Sequence, residues 1–309
     1  MLREFAVEPA LLGRDWETFR YLHEKFGISK ARVIAKFPKK WCRLVYEEAS
    51  DFPDARKKQV EEWLHSGENT FLIPSGRTYG EKDDWLQNAV DAHNSKPFNS
   101  ILARDNPCGC PAVLKWSDDV TEDHKLLKSD SVFRMPKTIE EFLETCYLLL
   151  QHSHEIIFVD PYLKDGNGSF EVLKSLLYSS QSIENKKNIR YLTIESPNGE
   201  TLEYRVNELN KKLPKLIPTG MSIKIILLNE ENCGRAMHNR YILTERGGII
   251  FPWGLDLDKG GASDEVIYLN ETVHCELFNE YDKLKGYTID VSGRYEDKRK
   301  PVNEHICSK

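Results

Sequence analysis

From Thr138 onward the chain alternates short apolar runs of strand length with amphipathic stretches of helix length, and that alternation confines it to an α/β architecture. The series opens with a helix over TIEEFLETCYLLLQHS, where Thr138 and, three positions on, Glu141 have the spacing of a capping box. Strands are expected at 155–159, 189–194, 222–228, 239–244, 248–251 and 265–269, with a short last one at 287–291. Helices are expected at 169–181, 202–212 and 271–285.

The part before this reads differently. Residues 1–135 hold five of the six tryptophans and form a mainly helical N-terminal domain, suited to recognition or to an adaptor role. Asp15 caps a helix bearing Trp16, Phe19 and Leu22 that Gly27 ends, and Pro38 and Pro53 open two more. Short strands at 70–73 and 100–104 flank a helix over 82–93. From about Asp105 turn formers and charges mix without periodicity, which reads as a polar connector to an α/β domain over 136–295. The charged tail 296–309 reads as flexible.

Composition removes whole classes of function. A net charge of −6 gives no chain-wide attraction for nucleic acid, so any polyanion site is local. No apolar run approaches the length that spans a bilayer, and the N-terminus carries charges within its apolar stretch, so neither integral membrane association nor a secretory signal is expected. Seven scattered cysteines in a chain of this size read as reduced thiols, and the expected location is cytoplasmic. Cys108-Gly-Cys110 with His124 lacks the second close pair of a zinc site, and no glycine cluster matches a nucleotide fingerprint, so no metal and no cofactor is implied.

The richest stretch is MHNRYILTERGGIIFPWGLDLD, starting at Met237. Residues two apart on a strand share a face, so His238 and Arg240 are expected side by side, and a hairpin through Gly247-Gly248 returns Trp253 and Asp256 to them. Imidazole, guanidinium and carboxylate at one sheet end suit phosphodiester binding or transfer, although a structural role fits any single His–Arg pair. Asp160, in Asp-Pro-Tyr at the end of the first strand, lies where α/β sheets place ligands, and also fits a turn carboxylate. His152 and His154 precede that strand and read as ordinary turn residues. Lys36, Lys39, Lys40 and Arg43 belong to six cations within fourteen positions, expected on one helix face that could meet nucleic acid or a partner protein or be merely solvated.

The spacing from His238 resembles the motif of the phospholipase D superfamily, H-x-K-x4-D-x6-G-S-x-x-N. Arg240 stands at the Lys position, Glu245 at the Asp position, Pro252-Trp253 at Gly-Ser and Asp256 at Asn. EIIFVDPYLKDG and SIKIILLN resemble the strands that lead into such units, and the likeness covers residues 137–292. A His-x-Arg strand followed by Gly-Leu-Asp is also similar to the phospholipase D-like C-terminal domain of MIT-domain proteins, which binds lipid or partners. The resemblance implies a metal-independent phosphodiesterase, a nuclease on DNA or RNA of the kind found among bacterial defence effectors. His238 would then be nucleophile or acid, Arg240 the phosphate clamp, Glu245 a supporting carboxylate, and Asp256, Trp253 and Asp160 substrate contacts. One motif per chain implies a homodimer that brings two His238 residues together. The alternative is a degenerate module that binds a phosphate-bearing ligand or a partner protein without chemistry.

Overall fold

The computed structural model describes residues 1–80, 84–164, 166, 168–181, 186–197, 199–229, 237–258 and 260–293; the expected tail lies outside them, as does the first part of the helix expected at 82–93. The fold is α/β, built on two sheets that follow one another along the chain.

The first sheet is wholly parallel. Its elements are β1 (Arg3–Val7), α1 (Pro9–Gly13), α2 (Trp16–Lys25), β2 (Arg32–Lys36), α3 (Trp41–Glu48), α4 (Asp54–Glu68), β3 (Leu72–Pro74), α5 (Trp85–Ser95), β4 (Ser100–Ala103) and β5 (Val113–Lys115). The spatial order is β3-β2-β1-β4-β5. Of these strands the sequence shows only those near 70–73 and 100–104. A parallel strand buried on both faces carries no alternation, and β1, β2 and β5 are also too short to stand out from the helices around them. The helices wrap the sheet as their apolar spacing demands: Phe5 and Val7 face a core shared with Trp41, Val45, Val60 and Trp63, while Ala6, Ala35 and Ala103 face α5 through Ala89 and Ala92. The helix from Asp15 is present, with the Asp15 carboxylate accepting from the Thr18 amide at 2.7 Å.

The second sheet is mixed. It comprises β6 (Val132–Pro136), α6 (Ile139–Gln151), β7 (Glu155–Val159), α7 (Ser169–Ser179), β8 (Asn188–Ile194), α8 (Leu202–Lys212), β9 (Ser222–Leu228), β10 (Tyr241–Thr244), β11 (Gly248–Ile250), β12 (Ser263–Tyr268), α9 (Glu271–Asp282) and β13 (Tyr287–Ser292), ordered β13-β9-β8-β7-β10-β11-β12-β6. β7, β8 and β9 run parallel, and β10 lies antiparallel against β7 with Tyr241 opposite Val159. The stretch read as a connector therefore contributes a strand to each sheet, β5 and β6. Both are edge strands, and β6 shows a single buried residue, Met135, too little for a periodic signal.

One hydrophobic cluster runs through both halves, from Phe5 and Trp41 to Phe142, Phe251 and Tyr268. The β10–β11 turn is the other joint. Arg246 donates to the carbonyl oxygens of Glu68 (2.9 Å), Thr70 (2.9 Å) and Leu72 (3.2 Å), so a cation sits at the carboxyl end of α4, where the helix dipole favours it. Gly247 has no room for a side chain: an added Cβ would lie 2.6 Å from a methyl of Ile28. Among the described residues no helix is long and apolar enough to cross a membrane.

Candidate functional site

β7 ends where β10 begins and β11 ends, and a polar cluster fills that sheet end. Asp160 follows Val159 directly and is buried, with 3 % of its surface exposed. Its carboxylate accepts from the Tyr162 amide at 2.9 Å and the Tyr191 hydroxyl at 3.4 Å. Burial pushes its carboxyl up from the usual range, although the Tyr162 amide and the Arg240 charge oppose that rise.

Arg240 precedes β10. Its Nη1 donates to the carbonyl oxygens of His238 (2.9 Å) and Pro252 (3.1 Å), its Nε lies 4.0 Å from Asp160, and its guanidinium stands 5.2 Å from the Tyr162 ring centre. Nε is buried without a hydrogen-bond partner, and Nη2 has no acceptor among the described residues. Gly254, at φ +106°, lets the next loop come close; an added Cβ would stand 2.9 Å from an Asp256 oxygen and 3.7 Å from Arg240 Nε.

Lys137, just after β6, completes the cluster. It is buried, and its ammonium donates to the Trp253 carbonyl at 2.9 Å and to the Asp256 carboxylate. Asp264 on β12 is fully buried and accepts from the amides of Trp253 (3.2 Å) and Glu265 (2.8 Å), which fixes the Pro252–Gly254 loop from the other side. Burial raises the Asp264 carboxyl as well. Arg205 of α8, buried behind Asp160, donates to the Leu163 carbonyl, and its Nε lacks a partner. At this sheet end Trp253 has 68 % of its surface exposed and Tyr162 38 %, and His238 is exposed as well.

Of the residues singled out in the sequence, Asp160, Arg240, Trp253 and Asp256 thus meet at one sheet end. His238 borders it through its backbone carbonyl, but it and Arg240 precede β10 instead of lying on it. Glu245 does not join them. It follows the last residue of β10, about 13 Å of strand away, and accepts from the His154 (2.8 Å) and Glu155 (3.0 Å) amides, so its role is to hold the turn. His152 and His154 lie at that far end too.

The basic run is not a helix face. Lys36 ends β2 and pairs with Glu68 at 3.2 Å, Lys39 and Lys40 stand in the turn after it, and Arg43 on α3 pairs with Glu47 at 2.7 Å. A strand end and a turn, which the spacing alone does not show, break the helical geometry. Among the described residues no group of three or more His, Cys, Asp or Glu is placed to hold a metal ion. Lys137, Tyr162, Tyr191, Arg205 and Asp264 were missed. Each is far from the hairpin in sequence or looks like an ordinary strand or helix residue, and only the sheet order gathers them.

A cleft of about 550 Å³ lies elsewhere, between the amino ends of β1 and β4 and the face of α6 that carries Leu143, Glu144 and Tyr147. The sheet-end cluster lies apart from that cleft, and it is there that buried ionisable groups converge.

No protein-family model matches the chain, and no curated protein matches it. A solved structure described as TrmBL2, an archaeal chromatin protein with a novel mode of DNA binding, aligns over 53 % of this chain and 56 % of that one, at 12 % identity and a TM-score of 0.28. A similarity this slight fixes neither fold nor function.

Proposed function

We propose that the sheet end around Arg240 binds a phosphate-bearing ligand with a planar base, a nucleotide or a single nucleic-acid strand, and that it does so without cleaving it. The observation that carries this reading is the setting of Arg240. Two backbone carbonyls pin its Nη1, its Nη2 is left without an acceptor among the described residues, the Tyr162 ring centre stands 5.2 Å from the guanidinium, and the exposed Trp253 follows Pro252, whose carbonyl Arg240 holds. A fixed guanidinium suits phosphate oxygens, and aromatic faces beside it suit bases. The resemblance of the Met237–Asp258 stretch to phospholipase D-like units agrees with a phosphate ligand.

Chemistry is less well supported. Transfer through histidine needs an opposed acid or base, and among the described residues no carboxylate pairs with the His238 ring and no second histidine lies at this end. A homodimeric phosphodiesterase is the second reading. It is favoured by one observation: His238 is exposed and could face its counterpart in another copy.

Titration of a labelled single-stranded oligonucleotide separates the two. Arg240→Gln, which removes a charged donor, should weaken binding about 10- to 100-fold, and Trp253→Ala should weaken it about 10-fold, while His238→Ala leaves it unchanged. Cleavage that persists in chelator and vanishes in His238→Ala would replace the binding reading with the enzymatic one. Absence of binding that depends on Arg240 would remove both.

A further inference from the structure

The first sheet carries another place suited to a ligand, independent of the one above. Its order reverses at β1: the chain steps outward to β2 and β3, then returns to lay β4 on the other side. In open parallel sheets the loops after two such strands diverge and leave a crevice at their carboxyl ends.

Charged residues reach that edge from three strands. Val7 pairs with Leu102, so Glu8 and Arg104 emerge at adjoining strand ends. Phe5 pairs with Ile34, which brings Lys36 and then Lys39 and Lys40 out on the other side of β1. The Glu8 carboxylate accepts from the Arg104 amide (2.7 Å), Nε (2.9 Å) and Nη2 (2.8 Å). Arg104 is thus held along one edge of its guanidinium, while Nη1 has no acceptor among the described residues and the head stays exposed.

Among the described residues, the acids that act on Arg104 or adjoin it in sequence are already engaged or act at a distance. Glu8 is saturated by Arg104, Asp105 pairs with Lys115 at 2.8 Å, and Glu48 on α3 acts on Arg104 only through its field. Lys39 and Lys40 are exposed and form no ion pair among the described residues, in contrast to Lys36 and Arg43. Tyr79, half-buried with its ring 5.2 Å from that of Phe37, supplies an apolar wall next to the turn after β2. Glu8-Pro9 follows β1 where a glycine turn would let backbone amides cradle phosphates, so here recognition falls to side chains.

We propose that this crevice binds a small phosphate-bearing ligand of nucleotide type, with Arg104 Nη1 and the Lys39–Lys40 pair as the phosphate donors and Tyr79 against the base. The basic run seen in the sequence then has a ligand of its own, separate from that of Arg240.

The test is calorimetric titration of the full chain with ADP, with inorganic pyrophosphate as competitor. With the sheet end of the second half disabled by Arg240→Gln, saturable ADP binding is expected to remain, and to be weakened at least 10-fold when Lys39→Gln/Lys40→Gln, whose exposed positions leave folding intact, is added, and likewise when Arg104→Gln is added. That background removes the ADP capacity assigned to the sheet end of the second half, which keeps the two sites apart. Excess pyrophosphate should displace ADP. The proposal is overturned if the Arg240→Gln background does not bind ADP at millimolar concentration, if adding the lysine substitutions leaves its binding unchanged, or if ADP stays bound there under excess pyrophosphate.

Discussion

Asp160 and Asp264 are acids that the fold makes weaker, and His152 is a base that it makes weaker, so they tilt stability with pH in opposite directions. For the two aspartates the folded carboxyl holds its proton more tightly than the unfolded one. Their contribution is therefore complete below the ordinary carboxylate value of about 4 and is lost as pH rises through the raised folded value. Asp160→Asn should stabilise the protein at pH 7 relative to pH 4, read as a smaller fall in urea midpoint between those pH values. His152 caps the carboxyl end of α6, where burial first, and then the charges of Arg246, Lys187 and Lys96, lower it to about 4. Stability from a neutral His152 is present above about 6.5 and is lost as pH falls towards 4, by at most about 3 kcal/mol. His152→Gln should flatten that acid limb; a limb that stays as steep would assign it to other groups. At this scale the sequence showed Asp160, Arg240 and Asp256 because each sits at a strand end or in a motif. It hid Lys137, whose partner Asp256 is 119 positions away, and Asp264, which in the sequence looks like an ordinary strand residue.

The β10–β11 hairpin is the element that ties site to scaffold. Arg246→Ala would leave three carbonyls at the α4 end without their donor and should cost about 2–3 kcal/mol, measured by urea unfolding. Gly254→Ala is expected to cost about 1–3 kcal/mol, because φ +106° and the close Asp256 oxygen both exclude a side chain. It should also lower affinity at the sheet end by moving Asp256 away from Arg240. The strands and helices after Thr138 were legible to within about three residues because their apolar runs are long and separated by clear turns. β1 and β2 were not, since short parallel strands buried on both faces carry no period, and that oversight turned Lys36 to Arg43 into an imagined helix face.

Across the whole molecule, the shared hydrophobic cluster and the Tyr268 hydroxyl bind the halves together. That hydroxyl accepts from the Leu2 amide at 2.7 Å and donates to the Thr145 carbonyl at 2.9 Å. Tyr268→Phe should cost about 1–3 kcal/mol by leaving a buried donor and acceptor unmatched, seen as a lower denaturation midpoint. Heating should melt both sheets in one calorimetric transition; two resolved transitions would show that the shared cluster does not couple them.

The turn at Glu245 to Gly248 serves as a hinge post, and its occupation has a consequence for descent. A substitution at the turn must keep the clamp on the neighbouring half, so the ribbon should tolerate change best at its open end, where Trp253 stands in solvent. The halves then form a poor pair of interchangeable cassettes. Grafting the second onto an unrelated partner would strand Arg246 over nothing and slacken the strand that presents Arg240, and innovation in such a lineage would come by editing the rim.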